Sequence, residues 1–479
     1  MDAREHAVTP FPWRLGTRLA PIAVALLLAW IYSDSFLHPT FFGDQGLRLD
    51  HADELVFDAG PRIWLPFLQL HIHVLYLLHA PVGTFVLVPY AYTVLSLFLL
   101  AALCRAALRD ERAAFLASAL LLIAFAGASF QWLGRSLYQE VIVIPLFLAL
   151  VYLFYFAPQR RGLFIVVLAV GMLTREVFWI WWLAFLALHW RGRLRDLRLR
   201  AGVVALGAIP VAWLVWTGQS PLLTRDVGEK PILLEGLGRR ATIFGAQLVS
   251  ESLLPLIVLL TVIFAVVLRK RGVRGLSFRG YHVFSLVSLA AIYGYVLLFR
   301  PFQATAENTR MLVPLYAHLL FWAIVAWRDA SRLDGRVGTA IRIVCAVGVL
   351  SLLKVHAIVA VLGGATPRTG TSWEPLHLTT RLDGQDDWRT AVGGALLPLR
   401  KERATRLNVV FVDVPKEEYI KFWVASFLYD ARTVSAGGMS LTAADVVVAP
   451  AGAQIPSFVR RERLQLPGGI VRDILVRER

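Results

Sequence analysis

The sequence predicts an α-helical polytopic membrane protein of about eleven transmembrane helices, followed by a small C-terminal α/β domain. Three observations support this. Of 479 residues, 57% are hydrophobic and 17% charged, whereas soluble domains carry roughly 45–50% apolar and about 25% charged residues. The apolar residues gather in long runs such as 21–32 and 253–268. Arginines then concentrate in alternate segments between those runs. This composition excludes a disordered or fibrous chain.

A span needs about 20 apolar residues, and the runs place spans near 15–33, 82–104, 113–130, 141–157, 163–173, 177–190, 202–217, 251–268, 281–299, 311–327 and 343–362. With a cytoplasmic amino terminus, the cytoplasmic segments hold 22 basic residues against 7 acids. The opposite loops hold 10 basic residues against 13 acids, which is the positive-inside pattern of a multi-pass protein in the inner, or plasma, membrane. The excess of 49 Lys plus Arg over 33 Asp plus Glu is therefore mostly topological. Without one shared basic surface, no nucleic-acid partner is expected.

The first span follows Arg14 and Arg18 but has no small-residue cleavage site after Tyr32, so it reads as an uncleaved anchor. Residues 163–190 form either one long helix or a hairpin broken at Thr174-Arg175-Glu176. A single helix would put the arginines of 191–200 outside, so the hairpin is preferred. Its helices are too short to cross ~30 Å of hydrocarbon, which recesses the charged turn. Such turns occur where protein or a watery cavity receives them. The alternative is that Arg175 and Glu176 simply pair with each other.

Residues 1–363 thus form the membrane domain. An outward loop spans 34–65, and 63–79 reads as a helix lying along the interface. A second outward loop, 218–250, is rich in Pro and Gly and reads as a mobile cover. Residues 364–479 form the soluble domain, with strands at 407–413, 433–436 and 445–449 and a helix at 416–429. The odd number of spans places this domain outside the cytoplasm. Cys104 and Cys345 lie in or at the ends of apolar runs and have neither zinc spacing nor a disulfide framework.

Chemistry-bearing residues cluster on the outward side. The loop Asp50-His51-Ala52-Asp53-Glu54 supplies carboxylates able to act as a general base; taken alone it reads equally as a solvated acidic loop. Arg135 and Glu140 share one turn, Arg175 and Glu176 a second, and Glu307, Asn308 and Arg310 a third. Arginine forks match phosphate oxygens bidentately, although each alone could snorkel or cap a helix. His71 and His73 diverge by about 200° on a helix, against joint metal binding. Lys354 and His356 interrupt the last span; an intramembrane lysine raises a functional question, with snorkelling as the simpler account.

In order and sidedness these residues resemble the glycosyltransferase C superfamily, in particular the bacterial branch of protein mannosyltransferases and aminoarabinose transferases. Asp53-Glu54 lies where that family keeps its catalytic acid. Residues 63–78 resemble its juxtamembrane helix, Leu173-Thr174-Arg175-Glu176 its short turn between the fifth and sixth spans, Arg310-Met311-Leu312-Val313-Pro314 its late arginine-proline motif, and Asp387-Trp388-Arg389 the start of its outward domain. The sequence departs from better-known branches by lacking a His-Asp type pair at 135–140 and an arginine near 86–90.

The resemblance implies inverting sugar transfer from a polyprenyl-phosphate donor to a hydroxyl of a glycan, lipid or protein acceptor. Asp53 would be the base, with Glu54 or Asp50 as substitutes. Arg135, Arg175, Asn308 and Arg310 would hold the donor phosphate, while Glu140 and Glu176 bind the sugar or orient the arginines. No cofactor is implied, and a divalent metal is not favoured. The rival from another class is a transporter of a polar or lipid-linked solute. It requires ionisable residues near the midplane of several helices, and here most charges sit at helix ends.

Overall fold

Long apolar segments become helices because a backbone in hydrocarbon must satisfy its own hydrogen bonds. The structure, a computed structural model, describes residues 11–32, 36, 48, 52, 54–56, 65–78, 80, 82–108, 110–127, 130, 133–135, 137–190, 193–217, 237–299, 310–333, 335–353, 395–396, 399, 407–413, 431–435, 441, 444–466 and 469–478. Its helices are α1 (Phe11–Ile31), α2 (Pro66–Leu77), α3 (Leu87–Ala107), α4 (Glu111–Phe125), α5 (Glu140–Tyr155), α6 (Arg161–Met172), α7 (Val177–His189), α8 (Leu197–Ala205), α9 (Ala208–Thr217), α10 (Leu237–Ser250), α11 (Leu253–Arg271), α12 (Arg279–Phe299), α13 (Val313–Ala330) and α14 (Gly335–Leu350).

Among the described residues, seven helical segments are long and apolar enough to cross a membrane, and α5, α6 and α7 are shorter apolar helices. Every span read from the sequence falls largely on helix where it is described, although several boundaries move and residues 354–362 of the last span lie outside the described residues. The span expected from 202 starts at Leu197 because Asp196 caps it, its carboxylate accepting from the Leu199 N–H at 3.0 Å. Residues 163–190 are indeed a hairpin, α6 and α7, of 12 and 13 residues, about 18–20 Å each. Within 63–79, read as an interfacial helix, the structure has the helix α2, Pro66–Leu77. Residues 218–250, read as a second outward loop, include the helix α10 at their end, packed against α11 and α12, while 218–236 lie outside the described residues. The apolar positions of α10 are too sparse to stand out beside spans. Lys354, His356 and residues 416–429 lie outside the described residues.

Two compact units result: residues 1–32, 56–68 and 88–378, and residues 33–55, 69–87 and 379–479. In the first, α13 is the central helix, packed on α4, α5, α11, α12 and α14. Its spanning window is 78% buried, against 22–50% in the other candidate spans. In the second, five strands form a mixed sheet in the order β2-β1-β3-β5-β4. These are β1 (Leu407–Phe411), β2 (Ala431–Ser435), β3 (Val446–Pro450), β4 (Phe458–Leu466) and β5 (Ile470–Arg477). β1 pairs parallel with β2 and β3, and β5 pairs antiparallel with β3 and β4.

Alternation splits the sheet core into two faces. Val409, Phe411, Val446, Val448 and Ile474 pack on one, and Val410, Val447, Ala449 and Leu475 on the other. The β4–β5 hairpin has no apolar alternation to mark it in the sequence, because the run Arg460, Arg461, Glu462 and Arg463 in β4 is exposed throughout. Asp473 of β5, 1% exposed, accepts from Arg463 Nε at 2.9 Å and from the Gly452 N–H at 2.7 Å. That bonding holds its carboxyl below the usual aspartate value.

Candidate functional site

The α6–α7 turn shows why this sequence builds a charged site at a helix end. An α-helix leaves its last carbonyls without intrahelical partners, and here each finds one. Val170 O accepts from Thr174 Oγ1 at 2.7 Å, Met172 O from Trp179 Nε1 at 2.9 Å, and Leu173 O from the Phe67 N–H of α2 at 3.1 Å. Gly171 permits the close return of the chain: a Cβ there would lie 2.3 Å from the Phe178 ring. With its backbone satisfied, the turn fixes Arg175 and Glu176, both buried.

Arg175 meets carboxylates from two elements. Its Nη2 lies 2.8 Å from Glu140 Oε1, at the first turn of α5, and its Nη1 lies 3.4 Å from Glu176 Oε2. Nη1 also donates to Gln139 Oε1 at 3.3 Å. The self-pairing of Arg175 with Glu176 is therefore real but secondary, because the shorter contact runs across the bundle. Gln139, 2% exposed, donates from Nε2 to Leu65 O at 3.2 Å. Arg310 enters from the turn before α13, its guanidinium 5.2 Å from the centre of the Tyr138 ring. Pro314 sits in the first turn of α13, where its missing N–H costs nothing.

A cavity of about 60 Å3 opens among these groups. Glu140, Arg175, Glu176, Arg310 and Tyr295 form its polar wall; Val143, Val177, Ile180, Ile292, Val296 and Val313 are among its apolar lining. Tyr293, behind this lining, accepts from the Leu315 N–H at 3.3 Å and donates to Met311 O at 3.1 Å, tying α12 to the start of α13.

Four of the residues expected from the sequence, Glu140, Arg175, Glu176 and Arg310, thus converge on one cavity. Glu54 is exposed and belongs to the other compact unit. Arg135 ends a short 3-10 turn, Leu133–Arg135. Asp50, Asp53 and Asn308 lie outside the described residues. The sequence did not disclose roles for Tyr138, Gln139 and Tyr295. The first two adjoin Glu140 and were open to inspection, whereas Tyr295 looked like any aromatic of an apolar span. Arg48, wholly enclosed in the second unit, was also missed; its carbonyl accepts from Gln69 Nε2 at 3.0 Å.

Fold and cavity together define a class: a polytopic helical membrane protein with a partly apolar pocket bearing two arginines at one end of its bundle. No protein-family model matches the chain, and no curated protein matches it. Among solved structures it is similar to ArnT from Cupriavidus metallidurans, in crystal structures bound to undecaprenyl phosphate and in the apo state. Each aligns with a TM-score of 0.56 at 14% sequence identity over 96% of this chain and 98% of that one. The fold is thus of the ArnT type, in line with the resemblance read from motif order.

Proposed function

We propose that this protein is an inverting membrane glycosyltransferase, moving a sugar from a polyprenyl-phosphate donor to an acceptor hydroxyl on the extracytoplasmic face. One observation carries it: the cavity places two guanidiniums beside a wall of Val, Ile and Pro, matching a phosphate attached to a hydrocarbon chain. The ArnT structure bound to undecaprenyl phosphate supports the same ligand class. The positive-inside pattern orients this end of the bundle outward, with the amino terminus in the cytoplasm and the sheet domain outside.

In this mechanism the acceptor oxygen attacks the anomeric carbon as the bond to the phosphate oxygen breaks. The acceptor proton passes to Asp53, with Glu54 or Asp50 as substitute base, and polyprenyl phosphate leaves. Arg175 and Arg310, together with Arg135 and Asn308, stabilise the charge that develops on the leaving phosphate. Glu140 and Glu176 orient Arg175 or bind the sugar. A monophosphate leaving group held by arginine ligands needs no metal ion, and none is invoked in this mechanism.

The test is transfer of labelled sugar from short-chain polyprenyl-phosphate hexoses and pentoses, comparing purified wild type with Asp53→Asn and Arg310→Ala. Both variants should lose transfer, and donor binding should survive only in Asp53→Asn. A fully active Asp53→Asn would overturn the base. A wild type inactive with every donor would overturn the transferase itself and make solute flux the next measurement.

A further inference from the structure

The two arginines reach the cavity from distant parts of the chain, yet one turn touches both. Tyr138 presents its ring to Arg310 at 5.2 Å. The next residue, Gln139, accepts from Arg175 Nη1 at 3.3 Å, and the next, Glu140, pairs with Arg175 Nη2 at 2.8 Å. Tyr138 and Gln139 are 1% and 2% exposed, so both are held by packing. Gln139 is tied further: its Nε2 donates to Leu65 O at 3.2 Å, and two residues on the Phe67 N–H reaches Leu173 O beside the arginine turn.

We infer that Tyr138 and Gln139 are positioning residues, setting the direction of the Arg310 and Arg175 guanidiniums that receive the donor phosphate. This rests on the transferase reading and names residues for which neither the motifs nor the ArnT likeness supplies a role. The physical case is one of freedom. An arginine carries a long, rotamer-rich side chain, and an anion binds it more tightly when that freedom is already spent. Carboxylates alone do not set direction here, because Glu140 and Glu176 pull Arg175 by charge from two sides. Gln139 adds a neutral, directional acceptor and leaves the net charge unchanged. The Tyr138 ring does the same for Arg310 through its electron-rich face.

The test uses the full chain in detergent and two measurements. One is transfer kinetics against donor concentration; the other is equilibrium binding of a short-chain polyprenyl phosphate beside the uncharged polyprenol. Tyr138→Leu and Gln139→Met should each raise the donor KM and the Kd for polyprenyl phosphate about tenfold, with kcat changed less and polyprenol binding unchanged. Tyr138→Phe, which keeps the ring, should recover to within about twofold. The inference is overturned if both variants bind polyprenyl phosphate like wild type, or if phosphate and alcohol weaken equally, which would mark a packing defect. Wild type that neither binds the phosphate nor transfers sugar overturns the transferase reading and this inference together. Active wild type with unaffected variants overturns this inference alone.

Discussion

Two polar clusters lie about one helical turn apart along α13, and they are built on opposite plans. Pro314 borders the cavity that holds Glu140, Arg175, Glu176 and Arg310. Four residues later, about 6 Å along the axis, His318 is wholly buried. Its Nδ1 lies 2.8 Å from Ser285 Oγ and 3.1 Å from the Tyr281 hydroxyl, which also donates to His318 O at 3.2 Å. The rings of Phe147, Trp181 and Trp322 close over it at 4.5, 5.6 and 6.1 Å.

The histidine cluster consists of groups able to stay neutral, each bonded within the bundle, and Tyr281 with the covering rings of Phe147 and Trp181 lines a cavity of about 40 Å3 whose walls are almost wholly apolar. The arginine cluster is ionic and borders empty space. A neutral, satisfied network specifies packing, whereas charges buried beside a cavity with a polar wall carry a desolvation cost. The contrast fits packing as the role of His318 and, under the proposed function, ligand recognition as the role of Arg175.

The sharpest way to break that contrast is Arg175→Ala. Losing a donor that stabilises the leaving phosphate should reduce transfer about 10²–10³-fold. It also removes the cation from beside the buried Glu140 and Glu176, at a cost of about 3–5 kcal/mol in unfolding free energy. Adding Glu140→Gln should restore part of the thermal stability, read from melting in detergent, and none of the activity. An Arg175→Ala protein with normal transfer would remove the cavity from consideration.

His318→Leu is the mirror experiment. Removing the shared partner of Ser285 and Tyr281 should destabilise the bundle by about 1–3 kcal/mol, while transfer per folded molecule stays within about twofold of wild type. A large loss of transfer with normal melting would erase the distinction between the clusters.

A third polar pair, outside the bundle, gives the smallest effect and a pH signature. Arg463 holds the folded Asp473 carboxyl below its unfolded value, which is about 3.9. Its contribution is therefore complete above that pH and is lost as pH falls through the folded value. Hydrogen exchange over 458–477, corrected for intrinsic rates, should show protection falling below about pH 4 in wild type. Asp473→Asn should start lower and lack this step.

Much of the fold was legible because partition into a bilayer is a local, additive property. The apolar run at 311–327 announces a helix whatever it packs against, whereas the starts at Glu111 and Leu197 were placed too late, at 113 and 202, because their caps Asp110 and Asp196, each accepting from a nearby N–H, are polar residues outside the apolar runs. The α10 helix and the β4–β5 hairpin were hidden because their apolar residues are too sparse or are interleaved with arginines. At the site, Glu140, Arg175, Glu176 and Arg310 could be named because charge at a span boundary is expensive and therefore conspicuous. Gln139 and Tyr138 carry no charge and gave no such signal.

From the sequence alone came the membrane fold class, the run of helices, the alternation of arginine-rich segments between them and the short charged hairpin at 174–176. Each follows from what a segment does with its own backbone and its immediate solvent. Tertiary structure alone decided that Arg175 turns first to Glu140 rather than to its neighbour Glu176, that Arg310 lies over Tyr138, and that a cavity opens between them. Those facts depend on side chains from α5, the α6–α7 turn and the start of α13 meeting at one point. Such a meeting is set by packing around the buried α13, and no local property of any of the three segments encodes it.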